Sequence, residues 1–216
     1  MEELAAAYEK ITFSSTVELL GKEYDSLVTE LDLKDLESSQ VAEVAEKLPQ
    51  LTGVTHVNLL REDGTSLLSM EDVVTLKAAA PQASFNYAFD FYGARISTMD
   101  KEVHIHGKKI GDEGIDEVRA ALSLMEQCDR FVLEYCQVSN ETMAKLRDDY
   151  RDRTKIVWRV SYGKGTIMTD AVVVRAVYDL VDDNCHNLVY CEDAKYMDIG
   201  HNEWLDACDF VSGMKS

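Results

Sequence analysis

The chain repeats part of its own pattern with a period of about 72 residues, and this periodicity limits what it can fold into. The pattern is plainest over 85–106, where alternating aromatic residues are followed by a turn at Gly93 and a second apolar run. Gly21 is the counterpart of Gly93 in the preceding copy, and Ile156 is the counterpart of Phe85 in the following copy. Recurring units of this kind bury their apolar faces by stacking on their neighbours. We therefore expect a single domain built of modules at 10–81, 82–153 and, incompletely, 154–216.

Helices are predicted between the repeated strands, from apolar residues that recur at a spacing of three and four. Strands are predicted over 53–60 and 129–136, between these helices. The apolar segment 171–181 fits either a strand or a helix. The predicted helices cover 39–48, 69–80, a segment after Gly114 that runs through Met125, and a segment from about Asn140 to Tyr150.

Several strand segments fit the pattern L-x-x-L-x-L with apolar residues at the L positions, namely 28–33, 54–59, 128–133 and 194–199. In this pattern the L side chains enter a core shared with the following helix, while the intervening side chains face outward. The stretch of chain between Leu31 and Val57 is long enough to leave room for a helix between the two strands. The sequence thus predicts an α/β fold: a leucine-rich-repeat-like solenoid with a curved, mostly parallel sheet backed by helices, plus repeated hairpin-like strand insertions.

Three longer pieces carry a resemblance to a known family: FNYAFDFYG with ARIST, LEYCQVSNETMAKLRDDY followed by KIVWRVSYG, and NLVYCEDAKYMDIGHN. In this order they make the chain similar to the atypical leucine-rich-repeat proteins of gut Firmicutes over most of 10–210. The resemblance implies a curved solenoid, often within a longer exported or surface chain, and no particular activity. The chain ends soon after the last piece, where such proteins usually continue, so a fragment of a longer chain and a complete protein both stay open. A fragment would be secreted or displayed on the cell surface, and a complete protein would be cytoplasmic.

The charge balance narrows the partners that the chain can bind. Forty acidic residues outnumber 22 basic ones, for a net charge of −18, which opposes binding to nucleic acid because phosphate contacts depend on Lys and Arg. No apolar run approaches the roughly 20 residues that cross a bilayer, so no membrane insertion is expected. The five cysteines are odd in number and lack C-x-x-C spacing, which argues against a disulfide framework or a zinc ribbon. No cofactor is expected.

The outward residues of the predicted parallel sheet are the candidate binding surface. Solenoids commonly bind partners on the concave face of their sheet, so we expect a non-enzymatic recognition or scaffold module for a protein or glycan. The aromatic residues of 85–91 recur at equivalent positions and are therefore predicted to be core. The candidate binding residues are Asp32, Lys34, His56, Asn58, His104, His106, Glu134, Arg159 and Asp198.

Two other functions stay open. His104 and His106 share a strand face, so a metal-binding protein or hydrolase centred on them is an alternative, with His56, Glu102 or Glu134 as a further ligand. The chain could also be an architectural spacer in a longer exported chain. Residues 163–166, GKGT, lack the upstream glycine of a phosphate-binding loop and are interpreted as a hairpin turn. The ligand, the oligomeric state and the redox state of the cysteines are not determined by the sequence.

Overall fold

The computed structural model describes residues 14–180 and 183–202. Its α-helices are α1 (Val41–Lys47), α2 (Met70–Ala79), α3 (Ile115–Leu124) and α4 (Asn140–Tyr150). Short 3-10 helices cover Ser38–Gln40, Leu48–Gln50, Asp112–Gly114 and Cys185–Tyr190. The strands are β1 (Thr16–Leu19), β2 (Lys22–Asp25), β3 (Glu30–Asp32), β4 (His56–Asn58), β5 (Ser84–Asn86), β6 (Ala88–Phe91), β7 (Ala94–Ser97), β8 (Glu102–His106), β9 (Arg130–Glu134), β10 (Lys155–Tyr162), β11 (Gly165–Met168), β12 (Val173–Arg175) and β13 (Tyr196–Asp198).

Within the described residues these strands form five separate small sheets. Two of them are the two-stranded hairpins β1–β2 and β6–β7. The sheets β3–β4–β5 and β12–β13 are parallel. In the sheet β8–β9–β10–β11 the first three strands are parallel and β11 pairs with β10 in the antiparallel direction. The prediction of a leucine-rich-repeat-like solenoid with a curved, mostly parallel sheet is therefore wrong. The apolar pattern correctly indicates one buried face of most strands, but it does not decide which strand edges pair, and several of these strands are very short.

The chain divides into two compact units. Unit 1 comprises the described residues up to Phe91, together with Arg95–Met99 and Ala120–Glu126. Unit 2 comprises Tyr92–Ala94, Asp100–Arg119 and the described residues from Gln127 onward. The modules at 10–81, 82–153 and 154–216 follow the sequence repeat and remain a prediction.

The predicted helices are confirmed to within a few residues at their ends. Ser69 caps α2, because its hydroxyl accepts from the main-chain N–H of Asp72 while the Asp72 carboxylate accepts from the main-chain N–H of Ser69. Ser139 caps α4 in the same way, because its hydroxyl accepts from the main-chain N–H of Thr142. The open segment 171–181 contains a strand, β12, rather than a helix in its described part.

Three hairpins recur along the chain, and a buried hydroxyl closes each of them. In each pair, the main-chain N–H of the first residue donates to the side-chain hydroxyl of the second residue. The main-chain N–H of the second residue donates to the main-chain carbonyl of the first. These bonds satisfy polar groups that burial would otherwise leave unpaired. The three pairs, which all have the same separation along the chain, are Ser15 with Ser26, Tyr87 with Thr98, and Trp158 with Thr169.

The turns of these hairpins rely on glycine. Gly21, Gly93 and Gly163 have φ angles of +73°, +76° and +53°, a left-handed conformation that glycine adopts without the penalty of a Cβ atom. Two-residue hairpin loops favour this geometry because it matches the twist of the flanking strands. The interpretation of residues 163–166 as a hairpin turn is confirmed by the antiparallel pairing of β10 with β11.

The core of unit 2 fixes which side chains of its four-stranded sheet are accessible. Two rows cross the parallel strands in register, Val103–Phe131–Ile156 and Ile105–Leu133–Trp158, and all six side chains are buried. Burial of each large apolar side chain contributes about 1.5–3 kcal/mol. Because side chains alternate along a strand, the residues between these rows lie on the opposite face. The aromatic residues of 85–91 are buried too, which confirms their prediction as core.

Candidate binding surface

Four of the candidate residues meet at one end of the outer face of the sheet in unit 2. His104 and His106 lie on β8, and His106 is in register with Glu134, the last residue of β9. Leu133 is in register with Trp158 on β10, which places Arg159 beside Glu134. The sheet register thus brings together residues that are far apart in the sequence.

Glu134 is the centre of this group. Nε2 of His104 lies 2.9 Å from its Oε2 atom, and Nε of Arg159 donates to its Oε1 atom at 2.5 Å. Arg159 also donates to the hydroxyl of Thr166 on β11 at 3.3 Å. These contacts cover Glu134 so well that it is only 8% exposed, although the sequence predicted an outward side chain.

The electrostatics of Glu134 favour its charged form. Burial alone would raise the pKa of this carboxyl, but the hydrogen bonds from Arg159 and His104 and their charges outweigh burial and lower the pKa below its usual value. Hydrogen bonds to a charged group are stronger than those between neutral groups. Glu134 therefore holds Arg159 and His104 in place, and their side chains remain 25% and 50% exposed.

The sequence missed the aromatic residue that completes the group. Tyr135 follows Glu134 directly, is 54% exposed and has a φ angle of +55°. The guanidinium carbon of Arg159 lies 5.7 Å from the centre of its ring, and the ring of His106 meets it edge-on with centroids 5.5 Å apart. Tyr135 lies where the strand ends, so strand alternation gives no signal for it. We name His104, His106, Glu134, Tyr135 and Arg159 the Tyr135 cluster.

The middle of the same sheet face is closed. Val132 is in register with His104 on one side and Val157 on the other, and both valines are fully buried. Beyond them Arg130 contacts Glu102 and donates to Oδ2 of Asp170 at 2.8 Å. The accessible part of this face is therefore the end that carries the Tyr135 cluster, rather than the full strip that the sequence predicts.

The other candidate residues lie elsewhere. In unit 1, Asn58 donates to Oδ1 of Asp32 at 3.0 Å and accepts from Asn86 at 3.0 Å, which forms a ladder across the parallel strands. Also in unit 1, His56 lies 2.9 Å from the hydroxyl of Ser84, and Lys34 lies 3.8 Å from Asp32. Asp198 lies on β13 of unit 2, in register with Arg175. Four of the nine candidates thus belong to unit 1 and five to unit 2, where Asp198 lies on a different sheet from the other four.

A cavity of about 280 Å³ in unit 2 offers a less favourable site. Its charged side chains already pair with one another. Arg147 and Arg151 each bond Glu192 at 2.8 Å, and Lys155 contacts Asp193. Among the residues that the structure describes, no three His, Cys, Asp or Glu side chains are grouped so as to hold a metal ion. None of the helices in the described ranges is both long enough and apolar enough to cross a membrane.

No protein-family model, curated protein or solved structure matches this chain. The resemblance to leucine-rich-repeat proteins therefore depends on the sequence motifs alone.

Proposed function

We propose that the chain is a non-enzymatic recognition module that binds a protein partner through the Tyr135 cluster. The observation that carries the proposal is the half-exposed ring of Tyr135, flanked by Arg159 and His106. Tyrosine and arginine are among the residues that most often dominate the binding energy of protein interfaces. An aromatic ring also gives a large contact area with little loss of side-chain freedom on binding.

The cluster is organised before any partner arrives, which supports the proposal. Glu134 fixes Arg159 and His104 through one carboxylate oxygen each, so little side-chain freedom remains to be lost on binding. The φ angle of +55° at Tyr135 is uncommon for a residue other than glycine. Strained backbone of this kind is frequent at ligand-binding positions, where the surrounding structure maintains it.

A metal-binding or hydrolytic function centred on His104 and His106 finds less support. Their ring centroids are 6.2 Å apart, and His104 is directed to Glu134, whose other carboxylate oxygen is taken by Arg159. A catalytic zinc site takes three protein ligands, and no such group occurs within the described ranges. A spacer role in a longer chain would leave the arrangement around Tyr135 without a purpose.

The test is to select binding peptides from a random display library on the whole chain and to map where they bind. The selected peptides are then titrated calorimetrically against the native chain and its Tyr135→Ala variant. We expect Tyr135→Ala to weaken binding by at least about 30-fold, the size of an interface hot spot. Tyr196→Ala is the matched control, because Tyr196 is equally exposed at 54% and lies outside the cluster.

The outcomes are distinguishable. Circular dichroism of each variant checks that the fold is intact, since an exposed tyrosine contributes little to the core. Peptides that tolerate Tyr135→Ala as well as Tyr196→Ala would contradict the proposal. Binding on a glycan array that disappears in Tyr135→Ala, without any peptide binding at the cluster, would replace the protein partner with a carbohydrate.

A further inference from the structure

Unit 2 carries a second exposed tyrosine–histidine pair that shares no residue with the Tyr135 cluster. The rings of Tyr178 and His201 stack with their centroids 5.2 Å apart and their planes 19° apart. Tyr178 is 67% exposed, the highest value among the exposed large hydrophobic side chains that the structure describes. Because His201 covers only one face of the ring, this exposure leaves the other face to solvent.

The backbone holds this pair in an unusual conformation. Tyr178 and His201 have φ angles of +63° and +58°, in the left-handed region that costs residues other than glycine about 1–2 kcal/mol each. Asn202 ties their two segments together. Its Oδ1 atom accepts from the main-chain N–H of Leu180 at 2.9 Å, and its Nδ2 atom donates to the carbonyl of Ala176 at 2.6 Å. Two strained residues are thus fixed so that their rings stack at the surface.

Acidic and basic residues both lie near the pair, whereas the chain as a whole is strongly acidic. Asp179 follows Tyr178 directly, and the Oδ1 atom of Asp198 accepts from the main-chain N–H of Gly200, next to His201. Arg175, in register with Asp198, and Lys164, whose main-chain N–H donates to the carbonyl of Asp179, are nearby basic residues. Over the whole chain the net charge is −18, so a basic partner is attracted from a distance.

We propose that the Tyr178–His201 pair is a docking site for a lysine or arginine side chain of a basic protein partner. A cation is attracted to the electron-rich face of an aromatic ring, and adjacent carboxylates strengthen that attraction. Stacked His201 keeps the ring of Tyr178 in one orientation, so little is lost when the cation settles on it. This site goes beyond the proposed function, and either site can fail without the other.

The experiment titrates the whole chain with a synthetic peptide of four lysines separated by glycines, at low salt so that screening is weak. Binding is measured from NMR shifts of the native chain and of Tyr178→Ala, Tyr178→Phe and Tyr196→Ala. We expect Tyr178→Ala to weaken binding by about three- to five-fold, the size of an exposed cation–aromatic contact. Tyr178→Phe should bind like the native chain, because the contact uses the ring and not the hydroxyl.

Tyr196→Ala controls for general attraction to an acidic surface, since Tyr196 is an exposed tyrosine on β13 of the same unit. The proposal is overturned if Tyr178→Ala and Tyr196→Ala weaken binding equally, if Tyr178→Phe loses as much as Tyr178→Ala, or if the peptide does not bind. Loss of lysine-peptide binding in Tyr178→Ala with no change in Tyr135→Ala supports it, and also separates it from the function proposed for the Tyr135 cluster.

Discussion

Replacement of Gly163 by alanine should destabilise the protein far more than the same change at Gly93, the turn glycine of another hairpin. A Cβ atom built at Gly163 would overlap the carbonyl oxygen of Asp179 and lie 2.6 Å from the carbonyl carbon of Asp179 and 2.8 Å from Cα of Leu180. At Gly93 the nearest atom is Nζ of Lys108 at 3.4 Å, an ordinary contact with a flexible side chain.

The expected losses in the free energy of unfolding differ because both glycines share a backbone strain, whereas only Gly163 is crowded by main chain. Both glycines have a positive φ angle, so alanine is strained by about 1–2 kcal/mol at either position. Only at Gly163 must main chain move, which adds about 1–3 kcal/mol of overpacking. Movement of Asp179 also disturbs its bond from the N–H of Lys164, 2.8 Å long and worth about 1 kcal/mol. We expect Gly163→Ala to lose about 3–6 kcal/mol and Gly93→Ala about 1–2 kcal/mol.

Urea unfolding followed by circular dichroism measures both free energies, with comparable m values required for the comparison. Gly21→Ala is a second control, because nothing lies within 4 Å of the Cβ position there. If Gly163→Ala and Gly93→Ala differ by less than about 0.5 kcal/mol, the reasoning is refuted, because main-chain crowding at Gly163 would then contribute nothing.

Three further predictions concern buried polar groups. Thr98→Val removes the hydroxyl that accepts from the N–H of Tyr87, and we expect a loss of about 1–3 kcal/mol in urea unfolding, whereas Thr75→Val on the exposed face of α2 should change little. The pKa of Glu134 is lower in the folded chain than its value near 4.5 in the unfolded chain. Its charged form therefore stabilises the fold above about pH 4.5, and this stabilisation is lost as the pH falls through the folded pKa. We expect Glu134→Gln to lose less stability than the native chain on acidification from about pH 6 to pH 3. Four cysteines are buried, namely Cys128, Cys136, Cys185 and Cys191. We expect their thiols to react with a thiol reagent at least about 100-fold more slowly in the folded chain than in urea. Equal rates would contradict their burial.

The candidate site was only partly predictable from the sequence. His104 and His106 are exposed as strand alternation predicts, because alternation depends only on local backbone geometry. Glu134 was expected to face solvent and is instead buried under Arg159 and His104, which reach it from neighbouring strands. Tyr135 could not be found, since it lies just past the end of β9 and has a backbone conformation that no periodic pattern signals.

Local patterns in the sequence by themselves determined the helices, one buried face of most strands and the recurring hairpins. These features depend on residues close together in the chain, such as the turn glycines Gly21, Gly93 and Gly163. Only the tertiary structure decided how the strands are distributed among separate sheets and which polar side chains meet. Strand pairing depends on the edges that distant segments present to one another, and the contact between Glu134 and Arg159 exists only because β9 and β10 pair in that register.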